Sequence, residues 1–169
     1  MTQVRITTAS YEDWPEIASI EHLCFPPKEA ATIPAIQERL RTYPQGCLVA
    51  RLNNTIIGFI NSGATDVNAV EDAFYTSMAQ HLENGQNLVV FGLDVHPLHQ
   101  GQGYAKALMQ RLIAFANQEN KSAILLTCKE HLIDFYTAFG YKNLGPSNSN
   151  HGGAKWYDLQ LDLIKSDPA

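Results

Sequence analysis

The chain lacks a long hydrophobic run, a cysteine framework and a metal-ligand motif. None of its apolar segments reaches the roughly 18 consecutive residues of a membrane-spanning helix, and no secretory signal is evident, so a cytoplasmic protein is expected. Its three cysteines, Cys24, Cys47 and Cys128, are far apart and odd in number, which predicts free thiols rather than disulfides or a zinc site. The six histidines also lack a metal-binding spacing, and no metal is expected.

Basic residues are scarce, since 12 Lys and Arg stand against 17 Asp and Glu, for a formal net charge of -5. Proteins that bind nucleic acid or an anionic membrane present basic surfaces, so neither partner is expected, and a cationic substrate is favoured. A chain of 169 residues with 45% hydrophobic content can bury one full-sized core. We therefore expect a single domain over residues 1–169, in which residues 164–169 form a flexible tail.

The most informative segment covers residues 93–109, with the sequence LDVHPLHQGQGYAKALM. It predicts a buried strand ending at Val95, a tight turn, and an amphipathic helix that begins near Gly103. Unpaired backbone N–H groups converge at such a helix N-terminus, where the helix dipole favours negative charge, so a pyrophosphate site is predicted. The segment is not a P-loop, because no Gly-Lys-Ser/Thr closes it. It is not a dinucleotide fingerprint either, because Lys106 stands at the third glycine position.

The rest of the chain alternates between strand and helix patterns. Asn53-Asn54 marks a tight hairpin, and residues 66–85 form a polar excursion with some helical periodicity before the central strand. The strand-helix-strand run around the glycine-rich turn favours parallel pairing through a right-handed crossover, and hence a mixed sheet with helices on both faces. The expected strands are 4–8, 47–52, 56–64, 88–95, 123–127, 141–144 and 155–163, and the expected helices are 11–25, 34–41, 103–117 and 131–139.

Two spaced motifs resemble the signatures of the GNAT superfamily of N-acetyltransferases. Gln100-x-x-Gly103-x-Ala105 is similar to the acyl-coenzyme A pyrophosphate loop of that superfamily. Residues 135–141, with the sequence FYTAFGY, are similar to its second signature. Two signatures in the right order are more specific than either alone.

The resemblance covers almost the entire chain and implies the GNAT fold. This is an α/β (α+β) fold with a mixed central sheet, helices on both faces, and two parallel strands that splay at the cofactor site. Segments 21–32, 126–129 and 148–157 further resemble the arylalkylamine N-acetyltransferase group and its bacterial relatives. Many members of the superfamily pair through C-terminal strands, so the resemblance also allows a homodimer.

Acetyl-coenzyme A is the co-substrate that the resemblance implies. The backbone near Leu93 and Val95 would hold the pantetheine arm as an added strand, and the backbone amides of residues 100–105 would hold the pyrophosphate. Strand alternation does not settle where the Asp94 side chain points. The implied cofactor-binding residues are Leu93, Asp94, Val95, Gln100, Gly101, Gln102, Gly103, Tyr104, Ala105, Thr127 and Phe135.

Tyr136 occupies the position where GNAT enzymes commonly carry the tyrosine that protonates the departing thiolate. Phe135 and Phe139 are four residues apart, which predicts that they share the core face of a helix and leave Tyr136 turned away from it. The alternative is an ordinary core tyrosine packed among aromatic neighbours.

The sequence offers two candidate residues for the general base and does not choose between them. The arylalkylamine enzymes carry histidines on the strand before the pyrophosphate loop, but this chain has Leu88-Val89-Val90-Phe91 there. The candidates are Glu21 on the first helix and His151 before the last strand. His151 has the side-chain type whose pKa lies nearest neutral pH. A water relay without a single base is the third alternative.

The expected activity is transfer of an acetyl group from acetyl-coenzyme A to a primary amine of a small molecule, directly within a ternary complex. Phe25, Tyr75 and Trp156 would suit an arylalkylamine, and the acidic charge would suit a polyamine. The alternatives are acetylation of a protein or peptide, which needs an open groove, and a non-catalytic acyl-coenzyme A sensor.

Overall fold

The structure, a computed structural model, describes residues 3–164, so residues 165–169 of the expected tail lie outside the described residues. Seven strands form one mixed sheet in the order β1-β2-β3-β4-β5-β7-β6. The strands are β1 (Val4–Thr8), β2 (Cys47–Leu52), β3 (Thr55–Thr65), β4 (Asn87–Val95), β5 (Ala123–Cys128), β6 (Lys142–Pro146) and β7 (Tyr157–Asp162). The helices are α1 (Trp14–Cys24), α2 (Ile33–Thr42), α3 (Ala73–Thr76), α4 (Tyr104–Gln118) and α5 (Ile133–Thr137).

The sheet separates two layers of helices, which confirms the predicted fold class. On one face, α1 and α2 pack against β2 and β3 around Ile17, Ile36 and Phe59. On the other face, α4 buries Leu108 and Leu112 completely, because apolar residues three and four apart share one side of a helix. Each such side chain contributes about 1.5–3 kcal/mol by leaving water. None of the helices within residues 3–164 is long and apolar enough to cross a membrane.

Local signals place the elements that carry the site. The Ser10 amide donates to the Asp13 carboxylate at 2.9 Å before α1, and the Thr32 hydroxyl accepts the Ala35 amide at 3.2 Å to begin α2. The hairpin between β2 and β3 forms where it was predicted, with Asn53 in the left-handed region at a φ of 57°.

The parallel strands β4 and β5 separate soon after they pair. They are in register only at Asn87–Ala123, Leu88–Ile124 and Val89–Leu125, although β4 continues to Val95. A bulge opposite the Asn61/Ser62 step of β3 leaves Phe91 without a partner and bends β4 at the point of separation. Beyond it, β4 pairs with β3 and β5 pairs with β7, so a gap opens between them.

Two predicted elements are wrong in extent. The helix expected over 131–139 is the five-residue α5, preceded by a short turn and followed by Gly140 at a φ of 105°. The excursion at 66–85 contains only the four-residue α3. Phe74 enters the core from α3, whereas Val70 and Met78 enter it from the irregular backbone on either side, and Leu82 is half exposed.

Candidate active site

A cavity of 570 Å³ occupies the region where β4 and β5 separate. Two regions of the cavity differ in chemistry. The loop region is the turn into α4, residues 100–106. The carboxyl region consists of Glu21 from α1, Arg39 from α2 and Asp94 from β4. Each of these elements packs against the sheet or the core, so the position of the cavity follows from the fold.

The loop region presents unpaired backbone amides. The first amide of α4 with an intrahelical partner is that of Ala107, which donates to the Gly103 carbonyl at 3.0 Å, so the preceding three amides have none. Gly101 and Gly103 have φ values of 75° and 89°, and both face open space. Positive φ values are available to glycine without strain. The turn can therefore aim its amides at an anion, as the sequence predicts.

The edge of β4 along the gap carries free backbone groups at Leu93. The Val95 carbonyl already accepts two hydrogen bonds, from the Cys24 thiol at 3.2 Å and from the side-chain Nε2 of Gln100 at 3.0 Å. Residues two apart in a strand direct their backbone groups to the same side, so the groups of Leu93 also face the gap. Of the two backbone groups of Val95 predicted to bind the pantetheine arm, only the N–H therefore remains without a partner of this kind.

The carboxyl region contains two buried acidic side chains that both approach Gly92. Asp94 is 2% exposed and Glu21 is 5% exposed. A Cβ atom placed on Gly92 would lie 3.4 Å from Asp94 Oδ1 and 3.5 Å from Glu21 Oε1. Glu21 Oε2 accepts the Ala31 amide at 2.7 Å, whereas Glu21 Oε1 and both Asp94 oxygens have no donor among residues 3–164.

Arg39 supplies the buried positive charge of this region. It is 3% exposed, and its guanidinium donates to the Tyr75 carbonyl at 2.9 Å and lies 4.7 Å above the Phe91 ring. Desolvation lowers the pKa of Arg39, and the negative charge of Glu21 is the main opposing influence. An arginine stays protonated under such conditions, so Arg39 is a fixed cation beside the two carboxyl groups.

Burial, and then the neighbouring Glu21 carboxyl, raise the pKa of Asp94 well above its ordinary value. Arg39 acts in the opposite direction but does not offset them. Burial also raises the pKa of the Cys24 thiol to about 12, with Asp94 and Glu21 adding to the effect. Cys24 is therefore a neutral hydrogen-bond donor in this cavity, since the thiolate is the nucleophilic form.

The profile of the acetyltransferase (GNAT) family matches residues 14–141, which is most of the chain. The chain belongs to the GNAT acetyltransferase family. The matched residues include α1, both splayed strands, the turn into α4 and α5.

Solved structures share this fold at low sequence identity. The loading GNATL domain of CurA from Lyngbya majuscula superposes with a TM-score of 0.81 at 16% identity, covering 95% of this chain and 98% of that chain. Ard1 from Thermoplasma volcanium gives 0.76 at 15% identity, covering 96% and 99%. The yncA protein from Salmonella typhimurium, solved with its cofactor acetyl-CoA, gives 0.70 at 20% identity, covering 99% and 98%. At these identities the likeness shows the fold alone.

Tyr136 lines the cavity of this GNAT acetyltransferase, but its predicted orientation is wrong. It is 7% exposed and belongs to the main core, whereas Phe135 and Phe139 are only half buried. Phe135 and Phe139 do pack on each other, with ring centroids 5.3 Å apart, but the short α5 also buries Tyr136, so their spacing does not turn Tyr136 away from the core. Burial, followed by the nearby Cys128, raises the pKa of Tyr136, and its hydroxyl has no hydrogen bond within the described part of the chain.

An aromatic wall closes another part of the cavity. The Tyr75 hydroxyl is hydrogen-bonded to the Thr127 hydroxyl, and its ring is stacked on His151 with centroids 5.0 Å apart. The His151 Nε2 donates to the Glu29 carbonyl at 2.9 Å, and the Trp156 indole donates to the His151 carbonyl at 2.9 Å. Because a carbonyl only accepts, Nε2 is the ring nitrogen that donates in this contact.

Three loops meet over this wall. Ser149 is hydrogen-bonded to Asp72, and Lys129 forms an ion pair with Glu29 at 2.6 Å. Gly152 packs so closely on the loop after α1 that a Cβ there would lie 2.9 Å from the Lys28 carbonyl oxygen. The loop after α1, the excursion before β4 and the loop before β7 are therefore held together by contacts between their side chains and backbones.

Most residues predicted for the site do line the cavity. Gln102 is the exception among the predicted cofactor-binding residues, because its side chain is exposed and is not part of the wall. Glu21 and His151 both line the cavity, in the carboxyl region and the aromatic wall respectively. Within residues 3–164, no group of three or more His, Cys, Asp or Glu side chains is arranged to hold a metal ion.

The sequence reading missed Arg39 and the side chain of Asp94. One signal for Arg39 was available, since Ile36 and Leu40 mark the buried face of α2 and Arg39 lies three residues after Ile36 on the same face. Asp94 lies within a run of apolar strand residues, where an acidic side chain calls for a partner. That partner is on α1, far away in the sequence.

Proposed function

We propose that this protein transfers the acetyl group of acetyl-coenzyme A to the primary amine of a small molecule, directly within a ternary complex. The observation that carries the proposal is one cavity that joins a turn of free backbone amides, a gap between splayed strands, and buried acidic side chains. Family membership supplies the acetyl transfer. The choice of a small amine rests on the walls of the cavity.

The residues present fit acetyl-coenzyme A as co-substrate. The free amides at the start of α4 suit its pyrophosphate, because partial positive charge collects at a helix N-terminus. The backbone of Leu93 suits the amide groups of the pantetheine arm, which would extend the sheet as an added strand. Phe135 and Thr127 line the remaining walls along the gap.

Tyr136 is the residue we assign to the leaving group. When the amine attacks the thioester, coenzyme A departs as a thiolate and needs a proton. The raised pKa of Tyr136 keeps its hydroxyl protonated at neutral pH, and that hydroxyl is not engaged with any described residue. A protonated phenol in a buried cavity can donate to a thiolate that is held beside it.

The contacts among the three loops favour a small acceptor over a polypeptide. A peptide substrate needs a groove that is open at both ends, whereas the Ser149–Asp72 contact and the packing of Gly152 on Lys28 hold the three loops together over the aromatic wall. The aromatic residues named from the sequence, Phe25, Tyr75 and Trp156, all line the cavity. An arylalkylamine matches these walls, which supports the proposed likeness to the arylalkylamine subgroup.

The test is thiol release from acetyl-coenzyme A with matched acceptors, with the acetylated product identified by mass spectrometry. The panel contains phenethylamine, phenethyl alcohol of the same carbon skeleton, spermidine and a lysine-containing peptide. We expect turnover with phenethylamine and none with the alcohol. The Tyr136→Phe variant should lose about 100-fold or more of kcat while its affinity for acetyl-coenzyme A stays unchanged.

Two outcomes would overturn the proposal. Turnover of the peptide alone would identify a protein acetyltransferase. Tight binding of acetyl-coenzyme A without turnover of any amine would favour a non-catalytic sensor.

A further inference from the structure

We infer that Glu21 and Asp94 share one proton and form the site that binds the ammonium group of the acceptor and takes one proton from it. The inference rests on the proposed function and identifies both the charge state in which the acceptor enters and the base that the sequence left undecided. It is carried by the burial of the two carboxyl groups, their convergence and their missing donors.

The hydrogen-bond inventory favours a proton between these groups. Glu21 Oε1 and both oxygens of Asp94 are buried, face the cavity and have no donor within residues 3–164. Two ionised carboxylates that both approach Gly92 would repel each other. With one proton on Asp94, its hydroxyl donates to the Glu21 carboxylate, which accepts. The raised pKa of Asp94 agrees with this state.

The positive charges near the pair match its two carboxyl groups only with that proton in place. Arg39 acts on both groups through its charge, without an ion pair to either, and the shared proton supplies the second positive charge. An entering ammonium would replace the shared proton as the second positive charge. Among the other titratable groups of the cavity, Cys24 from α1, Tyr75 from the excursion and Tyr136 from α5 are kept neutral at pH 7 by burial. Glu29 from the loop after α1 is paired with Lys129, and His151 from the loop before β7 lies in the aromatic wall.

The proton sequence closes over one turnover. On binding, Asp94 releases its proton to solvent and the ammonium donates to both carboxylates. One N–H bond then breaks and an O–H bond forms on the pair, which leaves the amine neutral. Its lone pair forms the N–C bond to the thioester carbonyl, the C–S bond breaks, and the thiolate takes a proton from Tyr136. The nitrogen loses its second proton, which returns to Tyr136, and the pair again holds one proton.

This site selects its substrate by the positive charge on the nitrogen and by whether that nitrogen carries a proton it can lose. A primary amine that enters as an ammonium satisfies both carboxylates and can surrender a proton. A quaternary ammonium of the same skeleton satisfies the charge but cannot react, so phenethyltrimethylammonium should inhibit competitively. Phenethyl alcohol carries no charge and should neither react nor inhibit.

The experiment measures proton release when phenethylamine binds to the enzyme saturated with coenzyme A, by calorimetry at pH 6 in two buffers with different ionisation heats. No acetyl group is present, so the result does not depend on turnover. We expect about one proton released per amine bound by the wild type and none by Asp94→Asn or Glu21→Gln. In the acetyl-transfer assay, both variants should lose about 100-fold or more of kcat and keep their affinity for acetyl-coenzyme A.

Both variants should fold. Asp94→Asn replaces a protonated carboxyl with a neutral amide of similar shape, and Glu21→Gln keeps an oxygen for the Ala31 amide. The matched control is Asp13→Asn, which also removes a buried carboxylate but lies outside the cavity in an ion pair with Arg51. It should lose stability and keep kcat together with its pH profile.

Different experimental results would show that this inference fails or that the proposed function fails. If the wild type acetylates phenethylamine and Asp94→Asn does so within about threefold and with the same pH profile, the inference is overturned and the proposed function stands. If phenethylamine binds with release of one proton but no amine is acetylated, the proposed function fails and the ammonium site stands. Binding without proton release would overturn the inference.

Discussion

The loop region and the carboxyl region lie in one cavity but are built in different ways. The loop region uses the backbone of consecutive residues 100–106, and its amides owe their freedom to the start of a helix. The carboxyl region uses side chains of Glu21, Arg39 and Asp94 from three separate elements. Backbone amides of this kind can bind any ligand that carries the anion, whatever the neighbouring side chains are. A site made of side chains depends on each residue, so a single substitution can change what it binds. Under the proposed function, the acceptor is specified by the carboxyl region, whose side chains come from elements far apart in the sequence.

Among the substitutions that test this difference between the two regions, the largest expected effect is on stability. Arg39→Met removes the cation beside two buried carboxyl groups, which should cost about 3–5 kcal/mol of unfolding free energy. The cost should grow from pH 5 to pH 8, because protonation of the pair at low pH compensates for the lost charge. Urea unfolding at the two pH values measures it.

Arg51→Met is the matched control for that substitution. Arg51 also lies beside an acidic side chain, in an ion pair with Asp13 at 2.7 Å, but its side chain is 22% exposed. Its loss should cost about 1 kcal/mol or less, because water screens a partly exposed ion pair. Equal costs for the two arginines would show that Arg39 has no special role.

The next effect concerns the loop region. Gly103→Val places a branched side chain at a φ of 89°, which should strain the turn by about 1–3 kcal/mol and redirect its amides. The dissociation constant for acetyl-coenzyme A should rise about tenfold or more. Gly145→Val, at a φ of 98° in β6 and likewise facing open space, carries the same strain away from the cavity. It should lower stability without changing acetyl-coenzyme A binding.

The smallest effect is expected at His151. His151→Gln loses the stack on Tyr75 but keeps a donor for the Glu29 carbonyl. We expect the KM for phenethylamine to rise by less than about fivefold and kcat to stay within about twofold, whereas loss of a general base would cost about 100-fold or more. Steady-state kinetics at pH 7 separates the two. A large loss in kcat would return the role of base to His151.

The sequence predicted the loop region well because its information is local. Strand, turn and helix follow one another within a single segment, and the two glycines stand at the positions that adopt positive φ. The sheet, the hairpin at Asn53 and the extent of α4 were predictable for the same reason. Each of them depends on periodicity or turn chemistry within a few residues.

The carboxyl region could not be assembled in this way. Glu21 was recognised only as one of two possible bases, because its partner Asp94 lies on another element and alternation along β4 does not say which side faces α1. The bulge at Phe91 also changes that alternation. Tyr136 was identified by its motif, yet its orientation was missed because the short α5 also buries Tyr136.

The measurement that tests the division between the two regions most directly is calorimetry on Gly103→Val and Asp94→Asn, with acetyl-coenzyme A and then with phenethylamine. The account predicts that Gly103→Val weakens acetyl-coenzyme A binding about tenfold or more and keeps the proton release on amine binding. Asp94→Asn should keep the dissociation constant for acetyl-coenzyme A and abolish the proton release. If Asp94→Asn weakens acetyl-coenzyme A binding as much as Gly103→Val does, or still releases a proton with the amine, the account is contradicted.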